Sequence, residues 1–77
     1  MFKRQDRVVA TASLCDINTM TIVERGDVGR VLGFEKLTGE IRARFAGQEV
    51  LIDAEHANAN LTVLPPGMRT QFAERLL

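Results

Sequence analysis

Gly26-Asp27-Val28-Gly29-Arg30-Val31-Leu32-Gly33-Phe34 leads through a short connection to Ile41-Arg42-Ala43-Arg44-Phe45, then Ala46-Gly47-Gln48, then Glu49-Val50-Leu51-Ile52-Asp53. These residues read as three strands. Ile41, Ala43 and Phe45 alternate with Arg42 and Arg44, the period-two pattern of a strand with one buried and one wet face. Gly47-Gln48 suits a two-residue type II′ turn, which favours glycine at its first central position. That turn pairs Phe45 with Val50, Ala43 with Ile52 and Arg42 with Asp53. The last pair is favourable by about 0.2–1 kcal/mol. The preceding strand, expected over residues 27–37, loses its alternation at Val31-Leu32 and carries Gly29 and Gly33. Glycine inside a strand marks a bulge, a sharp bend or a close backbone approach. A strongly bent, small β-barrel needs such corners.

Working outward, residues 7–15 alternate Val8, Ala10, Ala12 and Leu14 against Val9, Thr11 and Ser13, a first strand. Residues 16–26 are expected to form a long hairpin loop with extended edges, using the turn chemistry of Asp16, Asn18 and Thr19. Thr38-Gly39 is a turn. Ala54–Asn60 is small and polar and reads as one turn of 3₁₀-helix. Leu61-Thr62-Val63-Leu64 is a short last strand, stopped by Pro65-Pro66-Gly67. The expected core is Val8, Ala10, Leu14, Val31, Phe34, Ile41, Phe45, Val50, Ile52 and Val63. This divides the chain into a barrel over residues 1–66 and a helical tail over residues 67–77, with Met68, Phe72 and Leu76 spaced by four.

Seventy-seven residues suffice for one domain with a thin stability margin. Ten basic residues balance ten acidic ones, and Trp and Tyr are absent. Nucleic-acid binders show a basic excess and aromatic stacking platforms, so nucleic acid is a disfavoured partner. Cys15 is the single cysteine. No intrachain disulfide forms, which suits a reducing, cytoplasmic compartment. No stretch reaches the apolar length of a membrane span. Lys3-Arg4 and the run up to Cys15 read as a strand and not as a lipoprotein signal, because bulky Leu14 precedes the cysteine.

The order of elements is strand, long loop, glycine-kinked strand, turn, strand, tight hairpin, strand, helical turn, short strand. It resembles the SH3-like small barrel over about residues 7–64. Gly26-Asp27-Val28-Gly29-Arg30-Val31 looks like the Gly-x-x-Gly-x-Val stretch of KOW-type ribosomal barrels. It is equally similar to small accessory barrels such as the E subunit of photosystem I and the nitrogen-fixation Z protein. The resemblance implies a binding module or accessory subunit. Signalling SH3 domains grip Pro-rich peptides through a Tyr- and Trp-lined groove, which this chain lacks. Type II dihydrofolate reductases share the architecture, but Leu61-Thr62-Val63-Leu64-Pro65 lacks the Gln and Tyr of their active site.

Few residues offer chemistry. Cys15 and His56 make a conceivable thiolate–imidazole pair, yet the sequence supplies no third orienting group. Glu49, Asp53 and Glu55 lack the spacing of a cation loop. No cofactor or metal site and no catalytic residue is expected. The expected function is non-enzymatic and rests on protein–protein contacts, the simplest partner being a second copy of the chain. The candidate partner surface is Met20 and Ile22 in the long loop with Met68, Phe72 and Leu76 in the tail; the equal alternatives are that the loop closes one end of the barrel and that the tail caps its bottom. Arg30, Arg42 and Arg44 form a candidate anion patch, which would serve the alternative of a nucleic-acid- or ribosome-associated barrel. A second alternative is a small oligomeric enzyme whose site is shared between subunits.

Overall fold

The computed structural model describes residues 2–67 and 77. It is mostly β. The chain runs β1 (Arg7–Ala10), β2 (Leu14–Asp16), β3 (Thr21–Val23), β4 (Val28–Phe34), β5 (Ile41–Phe45), β6 (Gln48–Ile52), α1 (Ala54–Asn60) and β7 (Leu61–Val63). Five strands form one antiparallel sheet in the order β6-β5-β4-β1-β7, and β2 and β3 form a separate hairpin. In the five-stranded sheet β6 and β7 are the edges.

The single first strand expected over residues 7–15 is two. Ala10 N–H donates to Asp27 O and Thr11 N–H to Asn60 O, after which the chain bends out of the sheet and β2 begins at Leu14. β1 is flanked by β4 and β7 and is buried on both faces. Val8 and Ala10 join the main core, while Val9 packs with Leu64, Val28 and Leu77 in a small second cluster. The expected tail residues Met68, Phe72 and Leu76 lie outside the described residues.

β4 ends at Phe34, short of the expected Leu37. Its register with β5 shifts between Val31 and Gly33, so the broken alternation at Val31-Leu32 is a β-bulge at Leu32. Gly29 is a close approach. A Cβ there would lie 2.6 Å from both the Arg44 carbonyl and the Phe45 ring. Phe45 lies over the backbone of β4 because that position has no side chain.

The β5–β6 turn is Ala46-Gly47 and not Gly47-Gln48. Both residues hold left-handed φ, 51° and 79°, as a type I′ turn requires. Phe45 pairs with Gln48, Ala43 with Val50 and Arg42 with Leu51, so the expected Phe45–Val50 and Arg42–Asp53 pairs do not form. The displacement is two residues, and every side chain therefore keeps its face. Ile41, Ala43, Phe45, Val50 and Ile52 remain buried.

Two expected core residues are open to solvent: Phe34 is 42% exposed and Val63 39%. Beyond Val31 only β5 flanks β4, which leaves Phe34 at an uncovered end. Val63 sits on edge strand β7. Leu61 and Leu64 are buried in its place, and Phe2, Val23, Ala43 and Ala57 complete the main core. The expected 3₁₀ turn is an α-helix. Asp53 caps it by accepting the His56 N–H at 3.2 Å, and three alanines favour the α form.

Candidate functional site

The β2–β3 hairpin is where the fold and the apolar pattern part company. Leu14, Asp16 and Val23 are buried, while Cys15 and Ile22, paired across the strands, are exposed. Asp16 folds the loop. Its carboxylate accepts the Asn18 N–H at 2.9 Å, and Thr19 Oγ1 donates to Thr21 Oγ1 at 2.9 Å. Met20 closes the loop with a φ of 60°, a conformation that side chains other than Gly, Asn and Asp rarely adopt. Ile17 is 80% exposed, Met20 72% and Ile22 64%. Met20 and Ile22 therefore lie on the surface and do not close one end of the sheet. Ile17 was not anticipated, because Asp16 and Asn18 on either side read only as turn residues.

A charged group joins Leu14 and Val23, which are buried in the main core, in fastening the hairpin. Asp16 is 5% exposed, and its second carboxylate oxygen accepts the Leu51 N–H of β6 at 2.9 Å. The Leu51 N–H above all holds the Asp16 carboxyl below its ordinary pKa. Burial opposes that shift, and the Asn18 N–H assists it.

The three predicted arginines separate. Arg42 pairs with Glu35 and lies 3.9 Å from Glu49, so it belongs to a solvated network of ion pairs. Arg30 and Arg44 are direct cross-strand neighbours, and the rung extends to Arg7 on β1 on one side and Glu49 on β6 on the other. Arg7, Arg30 and Arg44 line one shallow cleft of about 430 Å³ together with Val28, Gly29, Leu32, Ala46 and Gly47. Arg44 reaches Glu49 at 3.7 Å, and Arg30 donates to the Gln5 carbonyl at 3.3 Å. Sequence reading missed Arg7, because only the β1–β4 register brings it beside Arg30.

No family model, no curated protein and no solved structure matches this chain.

Cys15 and His56 line a second cleft, of about 560 Å³, with Ser13, Asp16, Glu40 and Asp53. His56 Nδ1 lies 2.6 Å from Asp53 Oδ1. Asp53 thus holds the His56 ring in place. The same carboxylate caps α1, and the His56 N–H, as its strongest partner, holds its pKa below the ordinary value. The bond from the His56 N–H is ordinary helix capping. Among the described residues no three His, Cys, Asp or Glu side chains are grouped to hold a metal ion. No described helix is long and apolar enough to cross a membrane.

Proposed function

We propose that this chain is a non-enzymatic, SH3-like binding module that works through protein–protein contacts made by its β2–β3 hairpin. The strand order β6-β5-β4-β1-β7, the bulge in β4 and the short helix between the two edge strands support the barrel reading. So does Asp16, which draws the hairpin onto β6. The exposed thiol of Cys15 suits a reducing, cytoplasmic compartment.

The observation that carries the proposal is the display of Ile17, Met20 and Ile22. A hairpin tip has no folding use for three large apolar side chains in water, and such displays mark contact surfaces. Met20 sharpens the point. Glycine would relieve its backbone strain, yet the chain keeps a long, adaptable side chain there. The simplest partner is a second copy, since most soluble oligomers are symmetric homo-oligomers.

Sedimentation of the whole chain at tens of micromolar tests this. The expected species is a dimer or larger, and Met20→Gly with Ile22→Ser returns a monomer of equal or greater thermal stability. A monomeric wild type whose capture of host proteins is indifferent to both substitutions would overturn the proposal.

A further inference from the structure

The strand edges of this molecule are not treated alike. Among the described residues the two sheets have four edge strands: β6, β7, β2 and β3. An open edge presents unpaired N–H and C=O groups that template another strand, and proteins blunt it with charge, proline or a covering segment. Three of the four edges are blunted in this way. On β6 the Asp16 carboxylate takes the Leu51 N–H. β7 gives the Leu61 N–H to Ala57 O and soon runs into Pro65 and Pro66, which carry no N–H. β2 lies against β6.

β3 has none of these protections. Among the described residues β2 is its sole hydrogen-bonded neighbour. Thr21-Ile22-Val23 holds no charge and no proline, and all three residues are β-branched, a type enriched in strands. Val23 is buried in the main core, so an approach to this edge centres on exposed Ile22. A two-stranded sheet is marginal by itself, and strands added beside β3 remedy that.

We infer that β3 pairs edge to edge, in antiparallel sense, with β3 of a second copy, which joins the two hairpins into one four-stranded sheet. This rests on the proposed role of the hairpin as a contact surface, and it adds where and how the second copy sits. Charge selects the direction. Glu24 and Arg25 follow each β3. A parallel pair would set Glu24 beside Glu24 and Arg25 beside Arg25, and like charges side by side destabilise a sheet. An antiparallel pair, with its two-fold axis at Ile22, sends them to opposite ends. Ile22 then meets its own counterpart, and Thr21 stands opposite Val23 of the second copy. Once paired, neither β3 has an edge left and β2 is held against β6, so this assembly closes at two copies.

Cross-linking in the full chain tests the pairing. Residues directly opposite in an antiparallel pair have Cα atoms about 4.5–5.5 Å apart, inside the roughly 4.4–6.8 Å span of a disulfide. In a Cys15→Ser background, Ile22→Cys should give a disulfide-linked dimer as its main product on mild oxidation. Thr21→Cys in the same background should give about a tenth as much or less, because its counterpart lies two positions further along the partner strand. Circular dichroism checks that both variants fold. Hydrogen exchange supplies a readout in the unaltered chain. Deuterium uptake over residues 21–23 should slow by about five-fold or more when the protein is concentrated from the low to the high micromolar range. The pairing is overturned if Thr21→Cys cross-links as readily as Ile22→Cys, or if Ile22→Cys does not cross-link. A dimeric wild type with no slowing over residues 21–23 also overturns it, yet leaves the hairpin as a contact surface. A monomeric wild type overturns it as well, and the contact-surface reading is then judged separately, by the capture of host proteins.

Discussion

Two of the hairpins, β5–β6 and β2–β3, are both simple antiparallel pairs and oppose each other in almost everything else. In β5–β6 the apolar residues point inward, the turn is the shortest that type I′ geometry allows, and the strands lie within a five-stranded sheet. In β2–β3 the loop is longer, Leu14 and Val23 are buried but Ile17, Met20 and Ile22 are exposed, and a carboxylate bonds the hairpin to its neighbour. The first hairpin buries nearly all of its apolar side chains. The second buries two and displays three. An apolar side chain identifies a core residue only once its place in the sheet is known.

Substitutions can break this contrast at several strengths. The strongest is Phe45→Ala, which empties the position packed against Gly29 and should cost about 3–5 kcal/mol in chemical denaturation. A loss below about 1 kcal/mol would mean that β5–β6 is no better anchored than the display hairpin. Asp16→Ala comes next. It removes the acceptor for the Leu51 and Asn18 N–H groups and should cost about 1.5–3 kcal/mol, the worth of hydrogen bonds to a charged group.

The same residue gives a pH signature. Its native pKa lies below the ordinary carboxylate value, so on acidification the unfolded chain takes up the proton first. The stabilisation is fully present above the ordinary carboxylate pKa and is lost as pH falls through the lower native one. Acid unfolding monitored by circular dichroism should therefore be shallower in Asp16→Ala. Asp53, shifted in the same direction, remains in both proteins. The smallest effect is expected at the turn. Ala46→Asn places at φ 51° a residue that tolerates it and creates the Asn-Gly pair that type I′ turns favour. It should stabilise the fold by up to about 1 kcal/mol, read as a rise in Tm.

What the sequence disclosed follows the same division. The limits of β5 are legible because Ile41, Ala43 and Phe45 alternate cleanly with two arginines. The face of each β6 residue is legible for the same reason. The register is not, because a displacement of two residues leaves the hydrophobic pattern unchanged, and only the left-handed backbone of Ala46-Gly47 distinguishes the two pairings. Phe34 and Val63 look like core residues in sequence. They are half-open because an uncovered strand end and a sheet edge are properties of the assembled sheet. The exposure of Met20 and Ile22 is not legible in the sequence, because the composition of their loop suits a contact surface and a closure of the barrel end equally. Arg7 and Asp16 acquire their roles from partners far along the chain: Arg30 for one, and Leu51, 35 residues away, for the other. No local pattern announces such partners.

The bond between Asp16 and Leu51 has a further consequence for how motions of this molecule can be observed. The Leu51 amide lies on an edge strand and is held not by a neighbouring strand but by a side chain of the hairpin. Its proton can trade with deuterium when the hairpin lifts, even while the sheet stays intact. The ladder amides of β4 and β5 must wait for a larger opening. Deuterium uptake at this one position therefore times the detachment of the hairpin. The lag between it and the central strands measures how independently the display surface moves.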